Sequence, residues 1–400
     1  MSRLPVLSPR GWVAGAVLLG VFCFGLSSFG RRPPRSPQQD RAEADAFFTN
    51  GGLHKLRLEI SPQGLDSLRR EPRKPVKAIL REDDRVYEEV SVHLKGSAGS
   101  FRPVDDPKPG FTLNFTHFES GARFHGLRKF HINNSVQDGT WLSDMIAADI
   151  FRGAGVPAPR YGHAVVEFNG RHLGLCVIME ALDRDFLSRY FQNPRGNLYG
   201  QAGGCEITDH IERMEGFGPL DWADLRPLIQ AVQQGDAARR WDQMQKALDV
   251  DRFLSFMAVE VILCDWDGYT FARHNYRVYH DLDTDRCVFM PHDKDQIMGD
   301  PNVPIMPGVQ GMVAQAVLNT PEAKRLYRER IEQVFTNVFK VQALTNRICQ
   351  TIAKIEPTLK AYDANLARDF ANNANSLRDR IVNRAEGLAR QFPPPPKKTP

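Results

Sequence analysis

The apolar residues of this chain change period part-way along, and that change limits the fold more than any other feature. Between residues 54 and 118 the segments HKLRLEIS, EEVSVHLKG and FTLNF alternate polar and apolar side chains. A period of two puts alternate residues on opposite faces, so these segments are expected to be half-buried antiparallel strands. From 321 to 391 the pattern turns helical. There Val341, Leu344, Ile348, Ile352, Ile355 and Leu359 recur at three- and four-residue steps and line one face of a helix. Pro357 lacks an amide hydrogen and is expected to kink or divide that helix. Strands first and helices later predict an α+β fold, with a sheet-rich N-terminal part and a helical C-terminal part.

Further elements fit between these ends. Residues 140–153 read as a helix, with Gly153 near its C-terminus, and residues 251–264 as a deeply buried one. HAVVEFNGRHLGLCVIME reads as two strands joined at Asn169-Gly170, a turn pair that favours tight hairpins. Residues 275–281 and 286–291 read as another strand pair, and Asp183 or Asp185 as part of a helix start.

The termini carry a different message. Residues 11–30 (GWVAGAVLLGVFCFGLSSFG) hold no charge and are expected to be a signal peptide or membrane anchor, hence an exported protein. Residues 31–45 are Pro-rich and polar and read as a flexible linker, and 393–400 as a Pro-rich tail. The folded domain is thus expected over 46–392. A net charge of +4 without a basic stripe argues against nucleic acid as a partner. Of the six cysteines none forms a CxxC pair, which argues against a zinc ribbon, and five remain once Cys23 in the apolar run is set aside.

Two acidic clusters carry the chemistry. Asp265 and Asp267 flank Trp266, followed by His274 and Asn275; Asp293 and Asp295 follow the apolar RCVFMP. On extended backbone, residues two apart point the same way. Carboxylates and an amide brought together from two loops suit a hard divalent cation that also binds phosphate. The KGSAGSFR loop at 95–102 could turn backbone amides towards phosphate, with Lys95 and Arg102 adding charge. Lys108 stands at the entrance of the FTLNF strand. No GxSxG elbow and no HExxH helix is present.

These segments occur in an order that resembles the CotH family of bacterial spore-coat kinases. The resemblance runs over roughly 50–390 and rests on VHLKGSAGS, KPGFTLNF, FHGLRKF, GVPAPR, FNGRHLGL, EALDRDFL, GNLY, the WDGY segment, HNYRVY and PHDKD. It implies an atypical protein-kinase-like, two-lobed fold, with an N-lobe over about 46–180 and a C-lobe over about 181–392. It also implies transfer of the ATP γ-phosphoryl group to Ser or Thr of a protein, with Mg²⁺ or Mn²⁺. Carried onto this chain, Asp267 is the catalytic carboxylate. Asn275, Asp293 and Asp295 are the metal ligands. Lys95 or Lys108 neutralises nucleotide phosphates, and Glu180 lies at the hinge near the adenine.

Departures from the family pattern set other readings beside this one. Asp265 stands where the family has Asn, and His292 and Lys294 alter the W-D-x-D pattern. On a strand, Lys294 should point away from Asp293 and Asp295. A catalytically inactive binding module of the cell envelope is one alternative, and a metal-dependent phosphohydrolase using the same acids is a second.

Overall fold

The computed structural model describes residues 35–392 apart from 51, 201 and 202, so the apolar run at 11–30 and the tail at 393–400 lie outside the described residues. The first half of the chain forms α1 (Pro37–Asn50), β1 (Leu53–Ile60), α2 (Pro62–Arg70), β2 (Val76–Glu82), β3 (Arg85–Lys95), β4 (Gly110–Asn114), β5 (Lys129–Asn133), α3 (Ser143–Gly153), β6 (Tyr161–Phe168) and β7 (Arg171–Glu180). The second half adds α4 (Arg184–Leu187), β8 (Leu198–Gly200), β9 (Arg213–Glu215), α5 (Arg226–Gln233), α6 (Ala237–Ala247), α7 (Val250–Leu263), α8 (Tyr269–Ala272), β10 (Tyr276–Asp281) and β11 (Arg286–Pro291). It ends in α9 (Met312–Leu318), α10 (Pro321–Asn337), α11 (Val341–Tyr362) and α12 (Ala364–Ala389).

The α+β expectation holds, but the sheet is not simply antiparallel. Seven strands close into a barrel in the order β1-β2-β3-β4-β5-β7-β6. The closing pair, β1 with β6, is parallel, with Leu53 opposite His163 and Leu58 opposite Phe168. Closure leaves no open edge. Leu56, Leu58, Val90, Val92, Phe111, Phe130, Ile132 and Ile178 fill its interior. The other face of β6 and β7, through Val165, Leu175, Val177 and Met179, packs on the helical core. Burial on both faces explains why these two strands read as nearly continuous apolar runs. Asn169 and Gly170 both take positive φ at their turn, as the Asn-Gly pair predicts.

A second sheet, in the order β11-β10-β8-β9, lies in the C-terminal part beside α7. Every residue of α7 from Phe253 to Leu263 is buried, including Ser255 and Glu260. Asp183 caps α4 as expected, its carboxylate accepting from the amides of Asp185 and Phe186.

Three expectations are corrected. Residues 37–45, read as linker, belong to α1. Ser36 and Gln39 exchange hydrogen bonds of 3.1 and 3.0 Å in a capping box, and Ala44, Phe47 and Phe48 bury against the barrel. Helix α2 interrupts the strand region, started by Ser61, whose hydroxyl accepts from the Gly64 amide at 3.2 Å. Helix α11 runs unbroken through Pro357 and ends only at Tyr362. Leu344, Ile348, Ile355 and Leu359 bury on its neighbours, and this packing outweighs the lost hydrogen bond. Cys176, Cys205, Cys264, Cys287 and Cys349 are all free thiols. Among the described residues no helix is long and apolar enough to cross a membrane.

One buried carboxylate ties α1 to the barrel. Glu82 Oε1 lies 2.9 Å from His54 Nδ1 and Glu82 Oε2 lies 2.5 Å from His125 Nε2, while Phe47 stacks on His54 at 4.3 Å. Burial alone would raise the Glu82 carboxyl, but the two imidazoles outweigh it and hold it down at about 2, against an ordinary 4.5. A depressed carboxylate stabilises the fold fully above its ordinary range, and that contribution is lost as pH falls from about 4.5 towards about 2. The Glu82→Gln protein is therefore expected to melt below the wild type at neutral pH. The gap should shrink through that acid window when melting temperature is followed against pH. A gap that does not change with pH would contradict this assignment.

Candidate functional site

The cleft forms where strand ends of the barrel meet the loops of the second sheet. Lys95 ends β3, Asn133 ends β5 and Gly110 opens β4. With Gly96, Ser100, Asn134 and Ser135 they form one wall; Asp138, Trp141, Asp144, Asp293 and Asp295 form the other, beside Val177 of β7. Register explains the selection. On β5 Phe130 and Ile132 enter the barrel, so Lys129, His131 and Asn133 face outwards, and Asn133 at the strand end reaches the cleft. The 95–102 loop folds over this wall: the Phe101 amide donates to Ser97 O at 2.8 Å, and Asn134 Nδ2 donates to Ser100 O at 3.0 Å and Lys108 O at 2.9 Å. Gly96 sits at φ +103, where a Cβ would come within 2.8 Å of the Phe101 backbone.

Two cations and four acids meet here. Lys95 Nζ contacts the Asn133 side-chain oxygen. Arg277 of β10 is buried beside Asp293. Burial lowers its guanidinium to about 10, with Asp293 opposing. His131 and His292 lie among these cations, and burial first, then the cations, keeps their imidazoles well below the ordinary range. On the acidic side, burial and then Asp293 push Asp144 up to about 7. Burial, Asp293, Asp144 and Asp138 push Asp295 up to about 9. Asp138 is already committed: it accepts from the Thr140 amide at 2.9 Å and the Ser143 amide at 3.1 Å, at the start of α3.

Behind the cleft lies a buried charge knot. Lys294 Nζ is 2.7 Å from Glu260 Oε1 and 2.6 Å from Asp265 Oδ2, and all three residues are at most 2% exposed. Lys294 thus points away from Asp293 and Asp295, as expected, although Asp293 has positive φ and the segment is a loop rather than a strand. Its backbone amide donates to Asp144 Oδ1 at 2.7 Å. Burial disfavours the ammonium, but Asp265 and Glu260 together more than offset this and hold it above its ordinary range. Two carboxylates face one ammonium, so one acid is left partly uncompensated; burial pushes Asp265 up to about 7. Glu260 also accepts from the amides of Tyr269 at 3.0 Å and Thr270 at 2.8 Å. Gly268 is required by this crowding: a Cβ there would lie 2.4 Å from Asp265 Oδ2.

The sequence-derived residues distribute as follows. Lys95, Asp293 and Asp295 line the same cleft. Asp267 and Asn275 are joined to each other: Asn275 Nδ2 donates to Asp267 Oδ2 at 2.8 Å, and His274 Nδ1 lies 2.7 Å from Asp267 Oδ1. The His292 amide donates to Asn275 O at 3.0 Å, which ties this pair to the Asp293 loop. Asn275 and Asp293 both hold positive φ, as do Ser135 and Trp141. Backbone strain of this kind, about 1–3 kcal/mol per residue, collects at functional sites. Lys108 is set back from the cleft lining, its Nζ 3.3 Å from Leu175 O and over the Trp141 ring. Glu180 is also apart from it. Its buried carboxylate takes Arg160 at 2.6 Å and Arg189 at 2.5 Å, in a different cavity beside α1.

Sequence reasoning missed Asp138, Asp144, Glu260 and Arg277. Glu260 and Arg277 had a signal: each is a charge inside an otherwise apolar segment, VEVILC and NYRVY. Such charges are buried only with partners.

The donor set fits a divalent cation shared with a ligand. Buried carboxylates that raise one another need a positive charge. Among the described residues, no three His, Cys, Asp or Glu side chains are close enough to form a metal cage by themselves. Mg²⁺ is ordinarily held by one or two carboxylates plus phosphate oxygens and water, which suits this arrangement.

Two outcomes are expected. Lys294→Met leaves Glu260 and Asp265 buried without their cation and should cost about 3–5 kcal/mol in denaturant unfolding. A cost below about 1 kcal/mol would show that the knot is not structural. Carboxyls raised in the fold oppose folding once ionised, so with chelator present stability should fall as pH rises from about 4 towards about 9. Asp295→Asn should flatten that fall, and an unchanged profile would contradict the repulsion.

The family model described as CotH kinase protein matches residues 92–388. The chain is similar to Inner spore coat protein H of Bacillus subtilis, 21% identical over 360 residues, covering 84% of this chain and 96% of that protein. It is also similar to two Rhizopus delemar proteins. Invasin CotH3 is 24% identical over 200 residues, 45% of this chain and 33% of that protein. Invasin CotH2 is 22% identical over 275 residues, 60% of this chain and 46% of that protein. The cleft-lining residues, from Lys95 to Asp295, all fall within the family region, and the chain belongs to the CotH family.

Proposed function

We propose that this protein is a divalent-metal-dependent phosphotransferase that moves the ATP γ-phosphoryl group to a Ser or Thr hydroxyl of a protein. The observation that carries the reading is a single cleft with Lys95 on one wall and Asp293 and Asp295 on the other, with Arg277 buried beside Asp293. A polyphosphate needs cations along its oxygens, and a cation bridging it to protein needs carboxylates. Asp267 orients the acceptor hydroxyl and takes its proton. His274 and the Asn275 amide hold that carboxylate in place. With its Nδ2 spent on Asp267, Asn275 keeps Oδ1 as an acceptor for metal, beside Asp293 as principal ligand and Asp295 as second. The metal, when bound, neutralises phosphate charge as the bond to the leaving group lengthens. Lys95 and the 96–100 backbone hold the phosphates; Lys108 acts through Trp141 rather than by direct contact. Glu180 serves as a structural ion pair, since both its oxygens are already taken by guanidinium groups.

The departures at Asp265 and Lys294 support catalysis rather than its loss. The two charges answer each other in the knot, away from the acids that line the cleft. Export fits the apolar run at 11–30 and the names of the relatives, a spore coat protein and fungal invasins.

The test is nucleotide binding followed by transfer. ATP with Mg²⁺ or Mn²⁺ should raise the melting temperature, since a ligand of the folded state stabilises it. Asp293→Ala should abolish that rise. Asp267→Ala should keep it and lose phosphoryl transfer by roughly 100-fold or more. No rise with either metal in folded protein would overturn the proposal.

A further inference from the structure

A second groove opens from the acidic end of the cleft. It holds about 330 Å³ and shares Asp138 and Asp295 with the cleft itself. Its outer part is bounded by Trp266, Asn373 and Arg380, the last two on α12. Gly139 brings the 137–140 turn against α12, where a Cβ would lie 3.5 Å from Asn373 Nδ2. Trp266 is 57% exposed, the most exposed of the large apolar side chains among the described residues. It stands between buried Asp265 and hydrogen-bonded Asp267. Two backbone amides hold this turn: the Trp266 amide donates to Cys264 O and the Gly268 amide to Asp265 O, both at 2.9 Å. The indole is left to water, beside the carboxylate assigned to the acceptor hydroxyl.

Leaving such a ring in water forgoes a large burial gain, and tryptophan with arginine is the pairing that most often anchors a partner. Arg380 gives the groove its polarity. One guanidinium nitrogen donates to Ile297 O at 3.0 Å, and no carboxylate stands within ion-pair distance of it among the described residues. The acids at the inner end face the nucleotide and its metal, so Arg380 is the charge left for the partner.

We propose that this groove seats the acceptor polypeptide, with an apolar side chain on Trp266 and an acidic side chain on Arg380, so that the intervening hydroxyl residue meets Asp267. The inference rests on the phosphotransferase reading and adds to it the acceptor class: Ser or Thr segments with an acidic neighbour. Trp266 and Arg380 act as acceptor-binding residues. They do not line the nucleotide side of the cleft.

The experiment uses synthetic serine peptides in which one Glu, or one Lys, is moved through the flanking positions, with ATP and Mg²⁺ and full-length protein. One Glu position should be preferred over Lys by roughly 10-fold in kcat/KM. Arg380→Glu should reverse the preference at that same position. Trp266→Ala should raise the peptide KM by roughly 5-fold or more with kcat little changed. Leu282→Ala removes another exposed apolar side chain elsewhere, 47% exposed, and should leave the peptide KM unchanged. A charge preference untouched by Arg380→Glu, or a peptide KM untouched by Trp266→Ala, would overturn the proposal. So would nucleotide stabilisation without transfer to any peptide. Loss of nucleotide stabilisation in the wild type would instead overturn the phosphotransferase reading, and this inference with it.

Discussion

The ammonium of Lys294, between Glu260 and Asp265, is the contact on which the site depends. It joins two parts of the chain that are distant in sequence: the buried helix α7 with the 265–268 turn that follows it, and the loop after β11. None of these charges could remain buried without the others, because removing one leaves an uncompensated charge in the interior. The same loop then presents Asp293 and Asp295 to the cleft. Glu260 extends the join by accepting the first amides of α8. Fixing Lys294 therefore fixes the direction of both acidic clusters at once.

The barrel supplies the opposite wall. Its interior takes one face of each strand, which commits the other face of β3, β4 and β5 to the cleft. That is why Lys95, Thr112, His131 and Asn133, rather than their neighbours, look outwards. Opposed charge then organises the space. Carboxylates raised by one another lie near Lys95 and near Arg277, whose guanidinium burial lowers, and the proposed cation with phosphate would relieve the carboxylates. Positive φ at Ser135, Trp141, Asn275 and Asp293 shows that the cleft is held against local backbone preference by the packing around it.

Much of this was legible in the residues. Period two, period 3.6, the Asn-Gly turn and the Asp183 cap are local signals, and they marked their elements correctly. The acidic clusters were visible because they end apolar segments. What escaped was non-local. The parallel pairing of β1 with β6 depends on residues more than 100 positions apart, and no local pattern encodes barrel closure. Glu180 was placed at a hinge by the family resemblance; Arg160 and Arg189, which take its carboxylate, are identifiable only once folded. Asp138 and Asp144 looked like ordinary loop and helix-start residues, and only the fold brings them to Asp293. Pro357 was judged on its missing amide alone, without the neighbours that hold α11 together. The capping box at Ser36 and Gln39 was a local signal and was simply overlooked in a Pro-rich stretch.

The central claim is that protein carboxylates and nucleotide phosphates complete one metal site together. Calorimetric titration of Mn²⁺ into the protein, alone and with ATP present, tests it directly. The account predicts weak binding to the protein alone and tight binding of Mn²⁺ and ATP together, each raising affinity for the other by the same factor. Tight Mn²⁺ binding that ATP does not alter, or tight ATP binding that Mn²⁺ does not alter, would contradict it.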